Sequence, residues 1–289
     1  MTQAQLISAP DLLAATPNSG EIAHEFSMAP QTRRFYRNVL LLLNQAQIPY
    51  VVGGTYALNY HTGLNRYTKD FDIFIAKADF YRVADTLAKA SYRTEMTYPH
   101  WLGKTFCGND FVDLVFNSGN GVAEVDEAWF EYAPVGETFG ITTRFCPAEE
   151  MIWSKAFIME RERFDGADVA HLIVSCGENM DWKRLVQRFE PHWQLLLSHL
   201  ILFGMIYPAH KQLIPEWVMQ KLLDQLGEDQ TASLPLEDIC GGTLLSREQY
   251  LADIQNLGRK DARLSPYGSM SANDAERWTA AINNNNHNN

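Results

Sequence analysis

The chain has 289 residues, of which 46% are hydrophobic and 20% charged, and its formal net charge is −11. That is enough apolar material for one or two domains with sizeable cores, and the acidic balance excludes a broadly basic nucleic-acid-binding surface while still allowing a local positive groove. Cys107, Cys146, Cys176 and Cys240 are scattered with no Cys-x-x-Cys spacing, which argues against a zinc site or a disulfide framework and for free thiols in a reducing compartment.

Residues 1 to 28 form a mixed N-terminal extension with Pro10, Pro17 and Gly20; it has neither a basic region nor a continuous apolar stretch of the kind that makes a signal peptide. Residues 31 to 46 place Phe35, Val39, Leu42 and Leu43 at helical spacing, with Arg33, Arg34 and Arg37 among the polar positions, so an amphipathic helix is predicted. A strand through Tyr50 to Val52 then enters the tight turn Gly53-Gly54-Thr55, and a helix beginning at Tyr56 would offer its first amides, with the glycine backbone, to an anion.

The next strand, Asp70-Phe71-Asp72-Ile73-Phe74, projects Asp70 and Asp72 to one side and packs Phe71, Ile73 and Ile75 on the other. Two like charges so close repel, and a divalent cation such as Mg²⁺ between them would relieve the repulsion. Arg66 either pairs with Asp70 or contacts a phosphate, and Lys69 faces solvent. Residues 79 to 90 read as a helix with Phe80, Val83 and Leu87 on one face, and residues 91 to 117 alternate as strands. Within them, Phe111-Val112-Asp113-Leu114-Val115-Phe116 carries one carboxylate in an apolar run, a placement costing several kcal/mol unless it is paired, hydrogen-bonded or metal-bound. Asp113 is therefore expected to face the same site from a neighbouring strand. A further strand at 138 to 146 completes a mixed sheet of about five strands.

From Pro147 the texture becomes helical, with helices expected at 148–162, 166–176, 181–190, 192–206 and 215–226. The boundary near residue 146 divides a sheet-bearing domain (29–146) from a helical domain (147–228), followed by a C-terminal extension (229–289) whose Asn-rich end is expected to be disordered. Lys155, Arg161, Arg163, Asp165 and Asp168 fall on consecutive turns or a short break, either as a functional cluster or as a solvated face with i,i+4 pairs. His171, His192 and His199 are read as core or boundary histidines rather than a metal cluster, and Gly241-Gly242 as a turn. Arg33, Arg34, Arg37, Lys183, Arg184 and Arg188 are candidates for a positive groove, with ordinary surface charge as the default. The apolar run Leu195 to Tyr207 is too short to span a bilayer, so a cytoplasmic protein with no membrane partner is expected.

Glycine pair, helix, Asp-x-Asp strand and later strand Asp, in that order, resemble the DNA polymerase beta-like nucleotidyltransferase superfamily. Gly53-Gly54-Thr55, Ala57-Leu58, Gly63, Arg66, Thr68, Asp70 and Asp72 are similar to the bacterial branch that includes the abortive-infection (type IV toxin-antitoxin) toxins, over roughly residues 30 to 175. Thr55 stands where the superfamily usually has serine, and the spacer to Asp70 is slightly long. The resemblance implies an α+β fold, a mixed sheet with flanking helices followed by a mostly helical domain. It implies transfer of NMP from an NTP to an acceptor hydroxyl, with release of pyrophosphate. Asp70, Asp72 and Asp113 would bind Mg²⁺ or Mn²⁺, two ions among the three aspartates, and Asp113 would also accept the acceptor proton; Gly53, Gly54 and Thr55 would hold the triphosphate, with Arg66 and Thr68 beside it. Lys155 would contact triphosphate, and Asp165 would position the acceptor or that lysine. The implied partners are NTP, an acceptor such as tRNA, and a cognate antitoxin. A small-molecule (antibiotic-type) enzyme and a catalytically idle binding module are the alternatives.

Overall fold

The computed structural model describes residues 28–231 and 237–285; the N-terminal extension before Met28 and the end of the Asn-rich tail lie outside the described residues. Helix α1 (Pro30–Gln45) starts with proline at its first position, where a missing N–H costs nothing, and buries Phe35, Tyr36, Val39, Leu40 and Leu43 along one stripe. It is followed by β1 (Val51–Val52), α2 (Gly54–Thr62), β2 (Asp72–Phe74), α3 (Phe80–Ala88), β3 (Arg93–Tyr98), β4 (Leu102–Cys107) and β5 (Asp110–Val115). The strands form a five-stranded sheet in the order β1-β2-β5-β4-β3. Only the β2–β5 pair is parallel, so the sheet is mixed, as expected.

One sheet face is closed by helices. Val112, Leu114 and Phe116 are fully buried, and Gly103, directly opposite Leu114, lets the Phe80 ring of α3 come so near that a Cβ there would lie 2.2 Å from it. The other face carries Asp72, Asp113 and Lys104, by the alternation of strand side chains.

After α4 (Glu127–Glu131), capped by the Asp126 side chain accepting from Ala128 N–H, β6 (Val135–Thr138) and β7 (Ile141–Arg144) make a separate hairpin. The strand expected at 138–146 therefore lies outside the five-stranded sheet, docked on β1 by a Val52–Phe145 bridge and a 2.8 Å bond from Cys146 N–H to Val52 C=O.

Helices α5 (Ala148–Ala156), α6 (Gly166–Cys176), α7 (Trp182–Arg188), α8 (Trp193–Ile206) and α9 (Glu216–Thr231) follow. The first stops at Ala156 rather than continuing to 162. Its continuation is replaced by a loop in which Met159 N–H donates to Leu245 C=O and Met159 bridges Phe164, so the stop is imposed by tertiary partners. Among the described residues no helix is long and apolar enough to cross a membrane.

The C-terminal part, with β8 (Ile239–Cys240), α10 (Leu251–Gln255), β9 (Lys260–Asp261) and α11 (Ala272–Asn285), returns to the sheet. Trp278 packs edge-on against Tyr98 and Trp101, with centroids 5.3 and 4.8 Å away. Asn120 Nδ2 donates to Leu244 C=O at 2.8 Å, and the buried Asp261–Arg263 pair is completed by Thr243 and Thr279. The described part of the Asn-rich stretch, residues 283–285, is the end of α11.

The residue between Asp70 and Asp72, at the entry to β2, anchors this architecture. Phe71 is fully buried, stacks on Tyr36 at 4.9 Å and meets Tyr56 and Phe139 edge-on at 5.0 and 5.2 Å. One ring thus ties α1, α2 and the hairpin turn to the strand that bears the carboxylates. Truncation leaves a cavity in a tightly packed aromatic cluster, so Phe71→Ala is expected to lower unfolding free energy by about 3–5 kcal/mol, measured by urea denaturation with two spectroscopic probes.

Candidate active site

Parallel pairing of β2 with β5 sets Asp72 directly beside Asp113. Asp70 lies just before β2 rather than within it, exposed to solvent, and its backbone N–H donates to Thr68 Oγ1 at 3.1 Å. Thr68 thus shapes the turn that presents Asp70. The β1–α2 turn closes over Asp72 from the other side. Gly53 N–H donates to Asp72 C=O at 2.9 Å, and the Phe74 ring lies where a Gly53 side chain would be. Gly54 has φ +53°, and a Cβ on it would fall 1.9 Å from Asp72 Oδ2. Both glycines are therefore required, one by conformation and both by close approach. The turn leads into α2, whose positive N-terminal end, at Gly54, lies against Asp72, with half-buried Thr55 next in the helix.

The charges here are poorly compensated. Burial, then the neighbouring Asp113 and Asp70 carboxylates, push the Asp72 carboxyl up to about 7. Burial also raises that of Asp113, against the pull of Lys104, whose Nζ lies 2.6 Å from Asp113 Oδ1. Lys104 carries no signal in the sequence; only the β4–β5 register, which sets it opposite Asp113, reveals it.

A second group approaches from α5 and α6. Lys155 Nζ donates to Asp165 Oδ2 at 2.9 Å and to Asp168 Oδ2 at 2.7 Å. Arg163 grips Asp165 with two parallel bonds of 2.8 Å. Burial would raise the Asp165 carboxyl, but Arg163 and Lys155 together hold it below its ordinary value. Arg66 pairs with Asp168 rather than Asp70, and its Nη2 lies 3.0 Å from His171 Nδ1. The loop carrying Arg66 is held by Asn59, whose amide bonds both the N–H and the C=O of Arg66. Three cations, Arg66, Lys155 and Arg163, thus face two carboxylates, Asp165 and Asp168. Lys155 and Arg163 also lie close enough to Asp72 to interact with its charge.

Other candidates fall elsewhere. Arg184 and Arg188 are engaged by the buried Glu149 and Glu150, and Arg188 also by Asp126, so neither lines a free groove. His199 bonds Ala156 C=O at 2.9 Å as a core histidine.

Among the described residues no three His, Cys, Asp or Glu side chains are already gathered around a point that could hold a metal ion. The donors nevertheless suit one. Asp72 and Asp70 are hard oxygen ligands with no cation in direct contact among the described residues, Asp72 is raised by burial and then by like charge, and the Gly54 cradle leaves Asp72 Oδ2 open where any Cβ would block it.

No family model matches the chain, and no curated protein matches it. Among solved structures it is similar to the antibiotic-resistance factor ANT(2'')-Ia, with 16% identity over 60% of this chain and 98% of that one and a TM-score of 0.41. It is also similar to an antigenic nucleotidyltransferase-like protein from Paracoccidioides brasiliensis (14%, 64% and 93%, 0.42) and to the lincosamide antibiotic adenylyltransferase LnuA (15%, 50% and 96%, 0.35). At such scores the reading of the site rests on its own geometry.

The raised Asp72 carboxyl has a consequence for stability. In the folded chain Asp72 is neutral below about 7, whereas in the unfolded chain it is charged down to about 4, so stability falls as pH rises through that window. In metal-free buffer, Asp72→Asn is expected to stabilise the protein by roughly 1–3 kcal/mol above pH 7, with the gain shrinking to nothing toward pH 4. Urea titrations at intervals across that range measure it.

Proposed function

We propose that the protein is a metal-dependent nucleotidyltransferase that moves a nucleoside monophosphate from an NTP to an acceptor hydroxyl and releases pyrophosphate. The observation that carries this reading is Asp72 set beside Asp113 in adjacent parallel strands and against a glycine turn that opens a helix. The motif order that resembles the polymerase beta-like superfamily supports the same reading.

Asp70 and Asp72 would hold Mg²⁺ or Mn²⁺, which when bound supplies Lewis-acid stabilisation of the charge developing on the phosphoryl oxygens. The backbone of Gly53 and Gly54, Thr55 and the N-terminal end of α2 bind the triphosphate. Lys155, fixed by Asp165 and Asp168, and Arg163 supply positive charge for the leaving pyrophosphate. Arg66 acts through Asp168, and Thr68 through the Asp70 turn. As the acceptor oxygen forms its bond to the α-phosphorus, the bond from that phosphorus to the bridging oxygen of pyrophosphate breaks. The acceptor proton passes to the Asp113 carboxylate, whose raised affinity for protons suits a general base.

For the acceptor, the resemblance favours tRNA or another macromolecule and a toxin restrained by an antitoxin. A small-molecule acceptor is the second reading, favoured by the pairing of Arg184 and Arg188, which removes these two residues from the expected positive groove.

Purified protein incubated with Mg²⁺ and each α-labelled NTP is expected to transfer label to one of three pools: total RNA, protein extract or small molecules. Asp72→Asn is expected to reduce that transfer at least about a hundredfold. NTP binding without transfer to any pool would replace this reading with that of a binding module, and growth arrest on expression separates a toxin from a small-molecule enzyme.

A further inference from the structure

The sheet carries a row of charges across four strands. Asp72 on β2 is opposite Asp113 on β5, Asp113 is opposite Lys104 on β4, and Lys104 is opposite Glu95 on β3. Directly opposed residues share a face and lie within side-chain reach of their neighbours. Lys104 therefore has a carboxylate on either side, and it takes Asp113. Its ammonium sits 2.6 Å from Asp113 Oδ1 and 3.9 Å from the centroid of the Phe111 ring, whereas Glu95 is engaged by Arg93. The side chains of Lys104 and Asp113 are 22% and 14% exposed, so the pair is shielded from water on most sides and a cation there is screened far less than one at the surface. Among the described residues Asp70 and Asp72 have no such direct partner. One of the three carboxylates thus already has its counter-charge, and two do not.

We infer that Lys104 stands in place of a second metal ion at Asp113, so that the site binds one divalent ion, at Asp70 and Asp72, and leaves Asp113 to the acceptor hydroxyl. The inference rests on the proposed nucleotidyltransferase reading and sets its metal count. Lys104 is a positioning residue: it acts through Asp113, occupying one carboxylate oxygen and directing the other. An ammonium at 2.6 Å leaves no room for a divalent ion on that same oxygen, and a second ion nearby would meet the lysine's positive charge at close range. A fixed monocation also needs no loading step, and unlike a divalent ion it cannot be stripped by chelators.

Mn²⁺ titration of the full chain, followed by the electron paramagnetic resonance of free Mn²⁺, counts the ions bound. Wild type is expected to bind one. Lys104→Met frees Asp113 and is expected to bind two, and Lys104→Arg, which keeps the charge, returns the count to one. Asp113→Asn, in which Lys104 remains, keeps the single ion, and Asp72→Asn weakens it at least tenfold. Should Lys104→Met fail to fold, as judged by circular dichroism, wild type and Asp113→Asn decide alone. Two ions in wild type, a lost ion in Asp113→Asn, or a single ion in folded Lys104→Met overturns the role of Lys104 while leaving a metal-dependent transferase intact. No Mn²⁺ bound by wild type overturns the metal-dependent reading and this inference with it.

Discussion

Like charge held at close range governs this molecule. Asp72 and Asp113 are placed side by side by strand register, not by mutual attraction, and Asp70 hangs at the end of the same strand. Side chains on a solvated surface would turn apart; these are restrained. Phe71 is locked among Tyr36, Tyr56 and Phe139, and Ile73 and Ile75 are fully buried, so β2 neither twists nor slides without breaking an aromatic core. A one-residue slip would send Asp72 into that core and Ile73 into the site. The packing on one face therefore sustains the repulsion on the other, a stability cost of the kind that functional sites carry.

The second half of the chain makes sense as the response to that repulsion. Lys155 lies on a helix that begins only after Pro147, and its ammonium is held by Asp165, at the N-cap of the following helix, and by Asp168 within it. Helix α5 is itself fixed on its far side, where the buried Glu149 and Glu150 meet Arg184 and Arg188 of α7. Buried ion networks of this kind contribute little net stability compared with apolar packing, but removing one partner is costly, so they hold helices in one relative position. The loop after α5 is tied in turn to the C-terminal segment, where Glu160 bonds Arg247 and Ser246. The cations near Asp72 are thus positioned by contacts spread over more than a hundred residues of chain.

That distribution explains what could be read from the sequence. The glycine turn, the strand at Asp72 and the place of Asp113 were legible because each is a local pattern: a turn residue pair, an alternation of two, a charge in an apolar run; the start of that strand was not, since Asp70 lies before it. Helix α6 was legible to the residue, and α8 nearly so, because their apolar periodicity coincides with their ends. The stop of α5 was not, since Phe157 to Arg163 contains neither glycine nor proline and the helix ends because Leu245 C=O claims Met159 N–H. The choice of Asp168 over Asp70 by Arg66 was equally hidden, because both carboxylates are plausible partners until α6 is placed. Lys104 was hidden most deeply: a lysine in an alternating strand reads as solvent-facing, and only the pairing of β4 with β5 turns it toward a carboxylate.

The resulting charge distribution is asymmetric, and the asymmetry has chemical meaning. On the side of α5 and α6, Arg66, Lys155 and Arg163 outnumber Asp165 and Asp168, leaving an excess of positive charge toward Asp72. On the sheet side one lysine serves Asp113, and Glu95 beyond it is taken up by Arg93. A polyanionic group is favoured on the first side and finds no excess positive charge on the second, where each carboxylate already has its own cation, whereas a neutral hydroxyl needs none beside Asp113. Under the proposed function, the two halves of a group transfer, an anionic donor and leaving group on one flank and a proton to be removed on the other, would fall in these two environments. Strand register creates the division, because it sets Asp72 and Asp113 next to each other yet gives them different neighbours.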